Sequence, residues 1–184
     1  YTQSGWRGKL ETEGGGALIN QSIHTMDLLG VLLGKPVSVE AQTANHHLPG
    51  IIEVEDMMEA YIRYENAEAC FYATTAYTED APPLIEISCE NVVIRIEDLD
   101  VTLFWKDGCG GSGRIERPEI VRKQALGKSY WGTGHLDCIS DFYRCLKTGG
   151  RFAQDLDGVR DTVRLMLGAY ESAGCAGKEI RLKL

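Results

Sequence analysis

The sequence predicts an α+β domain with an open, mainly antiparallel sheet that carries its helices on one face. Three observations lead to this prediction. An apolar helical stretch comes first, a run of segments with alternating apolar and polar residues follows, and two amphipathic helical stretches come near the end. Because the strands follow one another instead of alternating with helices, antiparallel pairing is expected. The whole chain, 1–184, is expected to form a single domain.

The first helix is expected at residues 16–33. It follows the three glycines of "EGGGALINQSIHTMDLL" and stops before Gly34 and Pro36, which are typical of a helix end. Its residues are apolar nearly all round, which is the pattern of a buried helix.

Alternating residues then predict the strands, at 37–43, 54–65, 69–77, on both sides of Glu90–Asn91, and at 101–106. Within the second strand, one face is expected to point to the core through Met58, Ala60, Ile62 and Tyr64. Residues 107–130 are rich in glycine and then in charge, so a long loop is expected there.

Two helices and a strand are expected to close the chain. The first helix has an apolar stripe with His135, Ile139, Phe142 and Leu146. The second has a stripe with Val159, Val163, Met166, Tyr170 and Ala173, and is expected to end at Gly177. The tail "KEIRLKL" alternates and predicts a last strand. The sheet face that carries no helices is expected to bind another copy of the chain as a homo-oligomer.

The composition argues against several classes of partner. A net charge of −8 argues against nucleic acid, because phosphate binding needs clustered Lys and Arg. No apolar run approaches the roughly 20 residues of a membrane-spanning helix, so no membrane partner is expected. The six cysteines have neither a C-x-x-C pair nor a regular spacing, so no metal site and no disulfide framework is expected. We interpret them as reduced, mostly buried thiols of a cytoplasmic protein.

Asn20, His24 and Asp27 are separated by four and three residues, so they lie on one side of the first predicted helix. Two interpretations remain open. In one, the three side chains form a buried hydrogen-bond network and His24 is a core histidine. In the other, they face a cleft, where an imidazole can exchange a proton near neutral pH. The three glycines favour the second, since they leave room for a ligand or another backbone near the helix start.

Three further features of the sequence each have a functional and a structural interpretation. Gly108–Gly113 has the letters of a dinucleotide fingerprint, but no apolar helix follows it, so a nucleotide site is rejected. His135 begins a predicted helix, where core packing and a place in a cleft are equally compatible with its position. Trp6 and Arg7 form either a surface pair or a holder for a hydroxylated ligand.

Four segments together resemble a known family: "WRGK…EGGGALINQSIHTMDLLGVLLGKPVSVEA", "VEDMMEAYIRY", "GHLDCISDFYRCLKTGG" and "DLDGVRDTVRLMLGAYESAGCAGKEIRL". This family is that of the glucose-fructose oxidoreductase, inositol dehydrogenase and rhizopine-catabolism (Gfo/Idh/MocA) dehydrogenases. The resemblance is weaker at about 79–130. It implies the family's C-terminal domain, with a fold like the C-terminal domain of glyceraldehyde-phosphate dehydrogenase, which supplies the substrate pocket and the oligomer sheet.

The resemblance also implies an N-terminal Rossmann domain that binds NAD or NADP and that is absent from this chain. The chain is therefore interpreted as a fragment, inactive alone, of an NAD(P)-dependent dehydrogenase that acts on a sugar or cyclitol hydroxyl. The alternative is a non-catalytic binding or assembly module of the same fold, in which the polar residues only stabilise the domain.

Carried over by position, His24 falls on the family's catalytic histidine, an acid/base for the substrate hydroxyl. Asn20 occupies a position that is often Asp in the family. An amide can orient a ring or bind a hydroxyl, but it cannot ionise to stabilise an imidazolium. Asp27 is a candidate substitute partner for His24. The resemblance thus implies His24 and Asn20 as catalytic residues. The substrate-binding candidates are Arg7, Trp6, Asp27 and His135.

Overall fold

The computed structural model describes residues 5–79, 81–108, 112–120 and 134–183. The chain divides into two compact units, one made of Tyr1–Glu79 with Ala153–Leu184 and the other of Asp80–Phe152. The α+β class and the open antiparallel sheets are confirmed. The expected single sheet is corrected, because the described strands pair into two sheets of four strands each.

The first unit begins with a short helix, α1 (Leu10–Glu13), and then the helix expected at 16–33. That helix starts as a π-helical segment, Leu18–Ser22, and continues as α2 (Ile23–Leu33). The hydroxyl of Ser22 donates to the carbonyl oxygens of Ala17 and Leu18, at 3.0 and 3.2 Å. A π-turn inside a helix often occurs at a functional site, and periodicity in the sequence did not reveal this one.

The sheet of the first unit contains β1 (Pro36–Ala44), β2 (Met57–Tyr64), β3 (Glu68–Thr74) and β8 (Ile180–Arg181). Its order is β3-β2-β1-β8, with antiparallel pairing throughout. The predicted core face of β2 is confirmed, since all four of its residues are buried: Met58, Ala60, Ile62 and Tyr64.

The helix α4 (Arg160–Gly174) packs on this sheet. The hydroxyl of its buried Ser172 accepts a hydrogen bond from the backbone amide of Ala41 at 2.8 Å and donates to the carbonyl of Lys178 at 2.7 Å. A side chain at Gly168 would meet Val39 and Leu182, so glycine permits the close approach of helix and strand.

Two expectations about α4 are corrected. Its buried side is Leu165, Met166, Gly168, Ala169 and Ser172, whereas Val163 from the predicted stripe is 40% exposed. The helix ends at Gly174, three residues before the predicted end, because the chain turns there. Gly177 has a φ of +80° and lies in that turn, where its amide bonds to the carbonyl of Ser172.

The second unit contains β4 (Leu84–Ser88), β5 (Val92–Glu97), β6 (Asp100–Lys106) and β7 (Ser112–Glu116), paired in chain order, and the helix α3 (Gly134–Thr148). The long loop expected at 107–130 is corrected, since β7 lies inside it and pairs antiparallel with β6. The glycine-rich run therefore joins two strands. Residues 109–111 and 121–133 lie outside the described residues.

The helix α3 and the cysteines also differ from expectation. The apolar stripe of α3 is exposed at Ile139, Phe142 and Leu146, and Cys145 is its buried residue. Of the five described cysteines, all are free and four are exposed, so the expectation that most are buried is wrong. In the described part of the chain, no helix is long and apolar enough to span a bilayer.

Candidate functional site

The start of the His24 helix is held by Glu55, which lies just before β2. Its carboxylate accepts hydrogen bonds from the backbone amides of Gly16 at 2.8 Å and Leu18 at 3.1 Å, and its own carbonyl accepts from the amide of Ala17 at 2.9 Å. These amides belong to the first turn, where a helix has no internal acceptors. A negative charge is favourable there because the helix dipole is positive at that end.

The glycines ahead of the helix are explained by the same contacts. A side chain at Gly16 would clash with the backbone of Glu55, and one at Gly15 would clash with the hydroxyl of Tyr170. Of the two groups expected near the glycines, a ligand or another backbone, the structure shows the backbone. The space at these two positions holds protein, partly backbone and partly the ring of Tyr170.

Asn20 and His24 are both exposed on the outside of this helix. The side-chain amide of Asn20 donates from Nδ2 to the carbonyl oxygen of Gly15 at 3.1 Å, so Oδ1 is the atom left to accept a hydrogen bond. Within the described residues, His24 has no hydrogen-bond or ion-pair partner. The imidazole is thus open to solvent and to a ligand, and it is not a core histidine.

The expectation that this helix is buried all round is corrected. Leu28, Val31 and Leu32 are 40%, 75% and 41% exposed, whereas Met26 and Leu29 are buried. The helix packs on α4 through one side, so the polar residues on its other sides need no buried partners.

The carboxylate of Asp27 bonds to another helix and not to His24. Its Oδ1 accepts a hydrogen bond from the hydroxyl of Thr162 on α4 at 2.5 Å. The two residues border a cavity of about 210 Å³ whose wall also includes Gly30 and Asp161. The half-buried carboxylate therefore joins α2 to α4, and no bond between it and His24 occurs among the described residues.

Trp6 and Arg7 are brought together, with the guanidinium carbon 5.4 Å from the centre of the indole ring. Both side chains are exposed. The backbone around them is fixed by Thr12, whose hydroxyl donates to the carbonyl of Trp6 at 2.5 Å. His135 is exposed in the first turn of α3 and belongs to the second unit, apart in the chain from the other five candidates.

Sequence reasoning missed the acidic segment Glu53–Asp56. The amide of Glu53 donates to the carbonyl of Gly8 at 2.7 Å, and its carboxylate accepts from the amide of Leu10 at 3.1 Å. Glu53 therefore holds the stretch after Trp6 and Arg7, and Glu55 holds the start of the His24 helix, so both are attached to the same segment. The signal was available, since three carboxylates among four residues at the start of a buried strand need donors.

Asp56 is the fully buried member of this segment. Its carboxylate accepts three backbone amides, from His46 at 3.0 Å, His47 at 2.6 Å and Leu48 at 3.0 Å. Burial by itself would raise the pKa of Asp56, but the three hydrogen bonds outweigh it and the pKa lies below its ordinary value. Asp56 is therefore ionised in the folded chain at neutral pH and holds the loop that precedes it.

Neither a three-residue metal cluster nor a Rossmann unit occurs among the described residues. No three His, Cys, Asp or Glu side chains among them could hold a metal ion. In the same residues the glycine-rich run lies between two antiparallel strands, and no strand leads through a glycine loop into a helix. The described chain thus does not fit a dinucleotide in the way that a Rossmann domain does.

Comparison with known proteins decides the family. The model of the GFO/IDH/MocA C-terminal domain matches residues 1–95, which include the helix of Asn20 and His24 and the first three strands. The chain belongs to the Gfo/Idh/MocA family of oxidoreductases. No protein of curated function matches the sequence.

Several solved structures of oxidoreductases have the same fold. The WlbA dehydrogenase from Bordetella pertussis, in complex with NADH and UDP-GlcNAcA, is 26% identical with a TM-score of 0.73, covering 100% of this chain and 50% of that one. Levoglucosan dehydrogenase, in complex with NADH and levoglucosan, is 20% identical with a TM-score of 0.79, covering 97% and 53%. Aldose-aldose oxidoreductase from Caulobacter crescentus, complexed with glycerol, is 18% identical with a TM-score of 0.77, covering 96% and 50%. The chain spans about half the length of these structures.

Proposed function

We propose that this chain is the substrate-binding half of an NAD(P)-dependent oxidoreductase that acts on a sugar or cyclitol hydroxyl. The observation that carries the proposal is the exposed imidazole of His24, on a helix whose first turn is fixed by Glu55. The family supports the reaction class. The structures with NADH and with sugars support the substrate class, since those ligands are bound by proteins of the same fold.

In the proposed reaction His24 holds and moves one proton. Its free ring nitrogen accepts the proton of the substrate hydroxyl as the carbon that bears the hydroxyl is oxidised, and the imidazolium returns the proton in the reverse direction. An exposed imidazole on a fixed helix is suited to this role because it is accessible to substrate and held in place by its backbone.

Asn20, one turn earlier, contributes an acceptor. Since its Nδ2 is bonded to the carbonyl of Gly15, its Oδ1 can accept a hydrogen bond from a substrate hydroxyl or from an N–H of His24. A carboxylate at this position could not make the bond to Gly15 in its ionised form. The family's usual aspartate is thus replaced by a group that supports the helix start and orients a ligand without adding charge.

Trp6, Arg7, Asp27 and His135 are proposed as substrate-binding residues in the complete protein. Arg7 stacked on Trp6 offers guanidinium donors beside an aromatic face, a combination suited to a hydroxylated ligand. The nicotinamide cofactor, NAD or NADP, would supply the hydride acceptor or donor when bound. Because the described chain has no unit that fits it, we propose that a Rossmann domain outside this chain holds it.

Two further parts of the proposal concern partners and place. We propose a homo-oligomer through the outer face of the first sheet, whose exposed side chains include Gln42, Glu59 and Tyr72. We propose a cytoplasmic location on the basis of the five described cysteines, all of which are free.

The proposal is tested by supplying the complete protein with NAD⁺ or NADP⁺ and a panel of sugars and cyclitols. Reduced nicotinamide should form with members of the panel and be detected by its absorbance, whereas the 184-residue chain alone should neither bind the cofactor nor form product. A complete protein without nicotinamide binding would contradict the enzyme and favour the non-catalytic module.

A further inference from the structure

One residue, Glu55, supplies acceptors to three consecutive backbone amides at the start of the His24 helix. Its carboxylate takes Gly16 and Leu18, and its carbonyl takes Ala17. The hydroxyl of Tyr170, from α4, donates to the same carboxylate at 2.8 Å. Both oxygens of the carboxylate are therefore occupied by donors from two separate parts of the first unit.

Tyr170 remains a donor over the whole working range of pH. Burial raises the pKa of its hydroxyl, and the neighbouring charge and hydrogen bond of Glu55 raise it further. The side chains that Gly15 and Gly16 lack would clash with Tyr170 and with the backbone of Glu55. The helix start thus has no room to move toward the segment that holds it.

The hydrogen bonds of Glu55 to the amides of residues 16–18, here called the anchor, hold the same stretch of chain that continues into His24. The amide of Leu18 donates to the Glu55 carboxylate, and Leu18 is also the first residue of the π-helical segment that ends at Ser22. His24 follows as the second residue of α2. The side chains of Leu18 and Met26, on either side of His24 in the chain, are fully buried. A shift at the anchor is therefore transmitted to the imidazole through backbone that is fixed at both ends.

We propose that Glu55 is a positioning residue for His24: through the first turn of the helix it sets where the imidazole stands relative to the substrate hydroxyl. The inference rests on the proposed function, because it gives His24 the proton transfer. A misplacement of about 1 Å in a reacting group can lower a rate by about 10²-fold. Loss of the anchor should therefore lower turnover while leaving cofactor binding unchanged.

The test is a double-mutant cycle in the complete protein, with Glu55→Gln, His24→Ala and the two combined. Glutamine keeps the size of the side chain but turns an NH₂ toward the donors at one of its two former oxygen positions and removes the charge, so the anchor is weakened. Glu55→Gln should lower kcat by about 10–100-fold, with KM for the nicotinamide cofactor unchanged within about twofold. In the His24→Ala background it should lower kcat by less than about twofold, since no imidazole remains to be misplaced.

The matched control is Glu65→Gln. That carboxylate is exposed in the turn between β2 and β3 and has no place in the candidate site. Its kcat should stay within about twofold of wild type. Should Glu55→Gln not fold, Tyr170→Phe removes one donor of the same carboxylate and takes its place in the cycle, with a smaller loss of about 3–10-fold.

The outcomes separate the inference from the proposed function. If His24→Ala is impaired and the Glu55 variant is not, or if the two losses multiply in the combined variant, Glu55 does not act through His24 and the inference is overturned. If His24→Ala turns over like wild type, the proposed role of His24 fails, and the inference with it. If Glu55→Gln lowers kcat in the wild-type background but not in the His24→Ala background, the result supports both the proposed function and the role of Glu55.

Discussion

The hydroxyl oxygen of Tyr170 lies 2.8 Å from Oε1 of Glu55, and this hydrogen bond joins α4 to the segment that leads into β2. The same carboxylate holds the amides of Gly16 and Leu18. Three stretches that are far apart in the sequence therefore meet at one side chain, and the helix that carries His24 begins there.

Gly16→Ala should destabilise the chain by about 2–3 kcal/mol, because the added carbon would clash with backbone that cannot move aside. The carbonyl of Glu55 that it would meet is already bonded to the amide of Ala17. Urea unfolding followed by circular dichroism measures the change in the free energy of unfolding.

Gly30→Ala is the matched control, since it lies in the middle of α2 and a side chain there meets nothing within 4 Å. It should stabilise the chain by about 0.5–1 kcal/mol through the helix propensity of alanine. Equal effects of the two substitutions would show that the contact between Gly16 and Glu55 is not tight.

Asp56→Asn should lower the free energy of unfolding by about 2–4 kcal/mol near neutral pH, because three buried amides lose a charged acceptor. The pKa of Asp56 in the folded state is below its unfolded value, so its contribution is complete above about pH 4 and is lost as the pH falls through the folded pKa. Urea midpoints of wild type and variant should therefore converge in acid. The exposed Glu59→Gln, as control, should change stability by less than about 0.5 kcal/mol at either pH. A gap that stays constant from neutral to acid pH would contradict the role given to Asp56.

Thr162→Val should cost about 1–2 kcal/mol, because it keeps the shape of the side chain and removes the donor to the half-buried carboxylate of Asp27. Thermal unfolding checks it against Thr43→Val, an exposed position on β1 that should change stability by less than about 0.5 kcal/mol. A Thr162 variant as stable as the control would mean that Asp27 does not join α2 to α4.

The complete protein should behave as a dimer or larger at micromolar concentration in light scattering. Tyr72, 58% exposed on the outer face of the first sheet, stands opposite Glu59 across the strand pair. Tyr72→Asp places a second negative charge beside Glu59 and should shift the mass toward the monomer. Tyr77→Asp, exposed beyond the end of β3, should leave the mass unchanged. A monomeric wild type, or equal masses of the two variants, would contradict assembly through this face.

The alternation of residues was sufficient to predict much of the fold. Met58, Ala60, Ile62 and Tyr64 fill one face of β2 because burial on one side of a strand imposes a period of two. The same pattern could not reveal that the strands divide into two sheets, since it states which side of a strand is buried and not which strand lies beside it. The strand β7 was missed because its five residues, "SGRIE", have hardly any apolar character.

The candidate site was predicted less completely. The positions of Asn20 and His24 on one helix followed from their spacing, and the glycines marked the place where the helix is held. The residues that hold the helix start could not be identified from the neighbouring sequence. The hydrogen bonds from Gly16 to Glu55 and from Tyr170 to Glu55 span 39 and 115 residues. The π-helical segment begins at Leu18, whose amide bonds to Glu55, and the side chains of Asn20 and Ser22 bond to carbonyls five residues earlier.

The most direct test of the account is the turnover of His24→Ala in the complete protein, beside His46→Ala, an exposed histidine in the loop before β2. The value of kcat should fall by about 10²–10⁴-fold in the His24 variant, as for a lost general acid/base, and by less than about twofold in the His46 variant. Cofactor affinity and thermal stability should be unchanged in both. A His24 variant that turns over like wild type would contradict the assignment of the proton transfer to this residue.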